Sequence, residues 1–336
     1  MSIPAIVAAG DLRASKAIYG ESKAYLEVDA RPLVRHAVEV LQAVPEVSEV
    51  WVVGNAERLE GALGGSFRAE LEKPLHIVPQ FRNLFENGWE TYRRLLPGAP
   101  PEGRDPTPEE EPLPVLFLPT DIPFATPQEV SVFVRRALET GADYVMGLVT
   151  EESMEPFYPE APGEPGIRMA YFNTREGRVR QSNLHLIRPG RIVNRHIIEE
   201  MYEHRYQREF GNMVSLAWRL LWSERGGGVI FGTYLLMHLA SFADRHGWRR
   251  IADRVRHWIP LARIEWGVGS LLRSSFRLVI TEAGGCGVDV DNEHDLAVAR
   301  GRYAEWSAQQ RERAEKLYGP LPLPAGATRG DATGTS

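Results

Sequence analysis

One cysteine, Cys286, stands in a chain of 336 residues, which excludes an internal disulfide and makes a reducing cytoplasm the expected compartment. The nine histidines show no H-x-H, H-x-x-x-H or H-E-x-x-H spacing, so they are not expected to build a zinc site. A basic field is lacking too: 39 Lys and Arg face 45 Asp and Glu, and the net charge of −6 argues against bulk nucleic-acid binding. The longest apolar run, Val229 to Ala243, contains His238 and falls short of the ~20 residues that span a bilayer, so a buried helix is expected there. Met1 runs straight into a strand with no basic leader region, and no internal repeat is visible. No Ser-His or Cys-His signature is evident either.

What the sequence does have begins at its N-terminus. Ile3 to Ala9 is an almost wholly apolar run closed by Gly10, the pattern of a strand buried on both faces of a parallel sheet. A polar stretch carrying Arg13, Lys16 and Lys23 follows. A helix then starts near Pro32, with Leu33, Val34, Ala37, Val38, Leu41 and Val44 on one face. Backbone N–H groups near Gly10 can approach an anion closely, because glycine has no side chain in the way. By local chemistry alone this is either an ordinary first βα unit with a solvated basic loop or a phosphate site.

Further buried strands are expected at Glu49–Val53, Leu75–Val78, Pro114–Leu118 and Tyr144–Val149, with helices over Trp89–Leu96 and Pro127–Thr140. This β-α-β-β-α-β-α-β order predicts a mostly parallel, doubly wound α/β sheet. Pro97 to Pro114 is a Pro/Glu-rich surface excursion. After Glu151 the rhythm changes. Ile167–Asn173 and Val179–Ile187 form a hairpin across Arg175-Glu176-Gly177, and helices are expected over Ile192–Trp222, Val229–His246 and Trp248–Trp258. Sheet character returns at Phe276–Thr281 and Gly287–Val290, before a helix from Glu293 to about Leu317. The expected organisation is an α/β domain over 1–154, a hairpin plus mainly helical insertion over 155–272, closing strands and helix over 273–318, and a disordered tail over 319–336.

Asp121 follows the strand PVLFL, where open α/β sheets bind ligands; Pro123 and Thr126-Pro127 make a turn or helix-cap aspartate the other reading. Asp289 and Asp291 precede the last helix, where Asp291 or Asn292 can cap. The arginines from Arg245 to Arg263, interleaved with Trp248, Ile251 and Trp258, make a basic amphipathic stretch, most simply a solvated helix face.

Ala8-Ala9-Gly10, Arg13, Lys23-Ala24-Tyr25-Leu26-Glu27-Val28 and Arg31-Pro32-Leu33-Val34 resemble the opening of the MobA-like nucleotidyltransferases. That family starts with an A-G-G-x-S/G-x-R loop, a K-x-L-x-x-V segment and a G-K/R-P-L/M helix start; Asp11 here stands where a second glycine is usual. Leu118-Pro119-Thr120-Asp121-Ile122-Pro123 is similar to the family's D-x-P metal motif, and Asp289-Val290-Asp291-Asn292-Glu293-His294-Asp295-Leu296 to its closing D-x-D-T-P-E-D-L. The resemblance covers roughly Ile3 to Leu186 and Phe276 to Arg300.

It implies a GT-A-like fold and Mg²⁺-dependent transfer of a nucleoside monophosphate from an NTP to a small phosphorylated or hydroxyl acceptor, with release of pyrophosphate. Catalysis is then expected at Lys23, Asp121 and Asp291, with Mg²⁺ on Asp121 and Asp291 and Asp289 in reserve. Nucleotide contacts are expected from Ala8, Ala9, Gly10, Arg13, Lys23, Gln80 and Asn87, and acceptor contacts from Arg168 and Asn183. Two alternatives remain open: a glycosyltransferase of the same fold using a nucleotide-sugar, since Asp289-Val290-Asp291 is formally a D-x-D, and a catalytically inactive nucleotide binder.

Overall fold

A computed structural model describes residues 2–11, 17–161, 163–195, 197–198 and 226–321. Its centre is an eight-stranded sheet. Strands β1 (Ile3–Ala9), β4 (Val47–Gly54), β5 (Leu75–Pro79) and β6 (Val115–Pro119) run parallel, with β1 between β6 and β4. A short hairpin, β2 (Glu27–Val28) with β3 (Arg31–Pro32), stands outside this sheet. β7 (Tyr144–Thr150) and β10 (Phe276–Thr281) form a second parallel pair. The two parallel groups are joined by β9 (Gly177–Ile187), which lies between β6 and β7 and runs antiparallel to both; β8 (Phe172–Thr174) pairs with β9 at its start.

The sheet is therefore mostly parallel, as the sequence pattern predicts, but its join is a strand from the expected insertion. A boundary at residue 155 cuts through the sheet, because β9 supplies the hydrogen bonds that link its halves. Gly287–Val290 is likewise no sheet strand. A 3₁₀ turn at Gly285–Gly287 leads into a loop, and Val290 donates its N–H to the carbonyl of Asp121 instead of to a ladder.

The helices cover the sheet as amphipathic elements should. α1 (Leu33–Gln42) buries Leu33, Val34, Ala37, Val38 and Leu41, and α5 (Pro127–Glu139), capped by the Thr126 hydroxyl, buries Val130, Phe133, Val134 and Ala137. Two short helices, α2 (Ala56–Leu63) and α3 (Gly65–Ala69), follow β4. α4 (Leu84–Leu95) is capped by Asn83, whose side chain accepts from the Glu86 N–H. α6 (Glu151–Met154) is a single turn after β7.

Of the helical stretch expected over Ile192–Trp222, residues 199–222 lie outside the described residues, as does the tail from 322. Beyond them come α7 (Gly227–Arg245), α8 (Arg249–His257), α9 (Leu261–Leu272) and the long α10 (Glu293–Tyr318). The β8–β9 hairpin anchors α7 and α8. Asn173 donates to the Ser241 hydroxyl at 2.8 Å and accepts from the Arg256 guanidinium, which also pairs with Asp244. No helix among the described residues is long and apolar enough to cross a membrane.

Candidate active site

Three segments far apart in sequence meet at the C-terminal edge of β1 and β6. Lys23 opens a 3₁₀ turn, Lys23–Tyr25, and is buried. Its Nζ lies 2.7 Å from Asp121 Oδ2 and 2.5 Å from Asp291 Oδ1. Burial alone would push the lysine pKa down; the charges and hydrogen bonds of Asp121 and Asp291 outweigh it, and the pKa is raised well above the ordinary value. Lys23 is thus a fixed cation at working pH and not a proton acceptor.

Asp291 faces Lys23, and its neighbour does the capping. Asn292 is the N-cap of α10, its Oδ1 accepting from the Asp295 N–H at 3.0 Å, while Asp295 accepts in return from the Asn292 amide and the Asp291 N–H. Asp289 turns elsewhere and pairs with Arg180 of β9. Its carboxyl is pushed up to about 6, chiefly by burial and further by the charges of Asp291 and Asp121, against the opposing pull of Arg180.

The loop that presents both aspartates is fixed from below by Glu129, fully buried in the first turn of α5. One Glu129 oxygen accepts from the Thr281 hydroxyl and the Gly284 N–H, the other from the Cys286 N–H, at 2.8, 3.1 and 3.1 Å. A Cβ on Gly285 would stand 2.0 Å from the Phe124 carbonyl, so the loop packs against its neighbour as only glycine allows.

These groups rim one end of a cavity of about 770 Å³, whose lining includes Ala8, Gly10, Lys23, Asp121, Asn183, Asp289 and Asp291. Asn183 sits in a bulge. One residue of β7 between Met146 and Leu148, Gly147, faces three of β9 between Gln181 and His185, and Asn183 takes φ +60°. A Cβ on Gly147 would come 2.1 Å from the Ser182 hydroxyl, so glycine makes room for the bulge. The Asn183 amide donates to the Cys286 carbonyl at 3.3 Å, tying β9 to the aspartate loop.

Other expected contacts are placed differently. Arg13 lies outside the described residues. Ala9 packs into the core beneath the cavity. Gln80 accepts from the Asp11 N–H at 2.9 Å and so braces the loop that follows β1. Asp11 is also 3.7 Å from Arg58, which offsets the carboxylate standing in place of the family's glycine. Asn87 is fully buried and accepts from the Phe81 N–H at 2.6 Å; it holds the entry to α4 and does not line the cavity. Arg168 is exposed on a stretch without regular structure and does not line the cavity either, because the preceding chain folds back as Ile167 donates to the Phe157 carbonyl. Arg249 and Arg250 are likewise exposed and away from it.

The structure adds residues that the motifs do not mark. Beside the expected Asn183, these are Gln181, His185 and Ile187, which line the cavity at odd positions along β9, while Ser182, Leu184 and Leu186 are buried on its other face. His185 is held at both ring nitrogens, by the Tyr144 hydroxyl and the Gln181 amide, each at 2.9 Å. The polar–apolar alternation Asn183-Leu184-His185-Leu186 carries part of this signal in the sequence. Arg195, its guanidinium 3.9 Å over the Trp89 ring, had no local signal.

The site is thus a lysine and two aspartates at the strand edges, rimming one end of the cavity. A family model for the MobA-like NTP transferase domain matches residues 5–182, more than half of the chain, and the chain belongs to this family. Over 123 residues it is 24% identical to 2-C-methyl-D-erythritol 4-phosphate cytidylyltransferase of Chlorobium luteolum; the match takes in 37% of this chain and 49% of that protein, so the chain spans about half the length of this curated relative. It is also similar to a solved structure described as a hypothetical transferase from Thermus thermophilus, with a TM-score of 0.57 and 24% identity over 88% of this chain and 100% of that one, which bears on the fold alone.

Proposed function

We propose that the chain transfers a nucleoside monophosphate from an NTP, CTP being the first candidate, to an acceptor oxygen with release of pyrophosphate. The observation that carries this is the buried Lys23 ammonium held between Asp121 and Asp291 at the open edge of the sheet. The nucleotide preference is suggested by the relative that is named a cytidylyltransferase.

The acceptor oxygen attacks the α-phosphorus, the bond to the bridging oxygen breaks, and pyrophosphate leaves with that electron pair. Charge accumulates on the phosphoryl oxygens, and a permanently protonated Lys23 meets it without a proton transfer. Asn183, fixed by its bond to the Cys286 carbonyl, and Gln181 stand on the strand beside this point, where they can orient the acceptor.

The donor set also fits magnesium. Among the described residues no three His, Cys, Asp or Glu side chains cluster as a complete metal site. Two hard carboxylates, Asp121 and Asp291, converge on one cation, and Mg²⁺ is commonly held by one or two carboxylates together with substrate phosphates. Bound there, it would offset triphosphate charge. Asp289 and Asp291 face different cations, Arg180 and Lys23, which weighs against a shared D-x-D site for a nucleotide-sugar.

The test is pyrophosphate release from each of the four NTPs with and without Mg²⁺, alongside nucleotide-sugar controls. Turnover of a nucleotide-sugar with no NTP consumed would overturn the proposal.

A further inference from the structure

The cavity extends well past the charged edge. On β6 it is lined by Pro119 and by Phe117, and on β9 it continues to Ile187, which is paired with Val115 at the far end of β6. From Pro119 to Val115 is four strand residues, about 13 Å. Polarity falls along this distance on each strand: Gly10 and Ala8 give way to Ile6 on β1, Asp121 and Pro119 to Phe117 on β6, and Gln181 and Asn183 to His185 and Ile187 on β9. His185 adds no charge, since burial lowers its pKa to about 4 and both nitrogens are already engaged. Among the described lining residues the charge that reaches this end is Arg195, its guanidinium placed over the Trp89 ring.

A glycine keeps the floor open. Gly88 lies inside α4, where glycine is disfavoured, and a Cβ there would stand 3.2 Å from the Phe117 ring. A nucleotide needs the charged edge of the sheet. An apolar floor continuous with that edge suits the other reactant.

We propose that the acceptor is amphipathic, presenting its oxygen nucleophile beside Lys23 and laying a hydrocarbon body along the floor of Ile6, Phe117, Trp89 and Ile187. This rests on the nucleotidyl-transfer reading above.

The full chain is titrated by calorimetry with n-alkyl phosphates from ethyl to decyl, below their micelle-forming concentrations, and the same compounds are offered as acceptors in the pyrophosphate assay. The dissociation constant is expected to fall roughly fourfold for each methylene buried, the equivalent of about 0.8 kcal/mol, and then to level off when the floor is full. Ile187→Asn, and independently Gly88→Leu, should flatten that slope while the melting temperature shows a folded protein. A dissociation constant that does not change with chain length, or a slope untouched by both variants, overturns the proposal even if short polar acceptors are turned over. A steep slope with no pyrophosphate released from any NTP upholds the apolar ligand and overturns the reaction assigned to the site.

Discussion

The two ends of the cavity are built by opposite means. At the charged end, Lys23, Asp121 and Asp291 come from turns and loops, each held by bonds to groups outside its own segment: Val290 to the Asp121 carbonyl, Glu129 under the aspartate loop, Asn183 to Cys286. At the apolar end, Ile6, Phe117 and Ile187 are placed by strand register alone, with Ile6 opposite Phe117 and Ile187 opposite Val115. A substitution at the charged end should therefore change chemistry with little change in fold. One at the apolar end should change which molecule fits. Charge needs surrounding hydrogen bonds to stay buried and aimed, whereas an apolar surface needs only position.

The largest effect is expected from Asp121→Asn, which removes a charge and keeps the volume. Mg²⁺-dependent turnover should fall by about three orders of magnitude or more, with a melting temperature close to that of the parent. Full turnover at saturating Mg²⁺ would take Asp121 out of the chemistry and dissolve the contrast between the two ends. Lys23→Ala comes next, at about 2–4 kcal/mol of transition-state stabilisation, seen as a fall in kcat larger than any rise in the KM for NTP. If only the melting temperature moved, Lys23 would be a structural ion-pair partner.

Glu129→Ala tests whether the charged end depends on its support. Three buried donors would lose their acceptor, and stability should drop on the order of 3 kcal/mol, measured by denaturant unfolding. Activity should also fall under conditions where the variant is fully folded, because the loop carrying Asp289 and Asp291 loosens. A folded Glu129→Ala protein with parental kcat would show that the loop holds its shape unaided. A smaller effect is expected from Asn183→Ala. Acceptor KM should rise roughly tenfold for one lost hydrogen-bonding position, with NTP binding by calorimetry nearly intact. Weaker NTP binding with acceptor use untouched would place Asn183 with the nucleotide instead.

Much of the charged end is legible in the sequence, because a lysine after a glycine-ended strand, an aspartate after PVLFL and an aspartate before the last helix each leave a local mark. The same holds for the strands whose apolar runs are bounded by turns, such as Ile3–Ala9 and Tyr144–Thr150. What is not legible depends on register. Nothing local to Gly177–Ile187 says that it inserts between β6 and β7, and so the segment reads as the edge of an insertion. Asn87 reads as a ligand contact because a polar residue opening a helix is equally a cap and a site, and burial alone decides it. Asp289 stands in reserve behind Asp291 in the sequence, and only the structure parts them, where Arg180 pairs with Asp289 and Lys23 with Asp291.

The smallest effect is expected from the double charge reversal Arg249→Glu with Arg250→Glu. The sequence reads the arginine-rich stretch as a solvated face; if it held an anionic acceptor instead, the charged end of the cavity would not be self-sufficient. Both residues are exposed at the start of α8, which packs on α7 and is tied to the hairpin through Arg256, Asn173 and Asp244 and not through these two side chains. Neither lines the cavity. Solvent and salt screen such charges over about 8–10 Å, so their reversal should leave kcat and both KM values within about twofold at 0.15 M salt. Acceptor KM measured at low and high salt is the discriminating readout. A rise of tenfold or more in the variant that disappears at high salt would mean that α8 steers the acceptor, and that the selectivity assigned to the cavity floor is shared with a surface outside it.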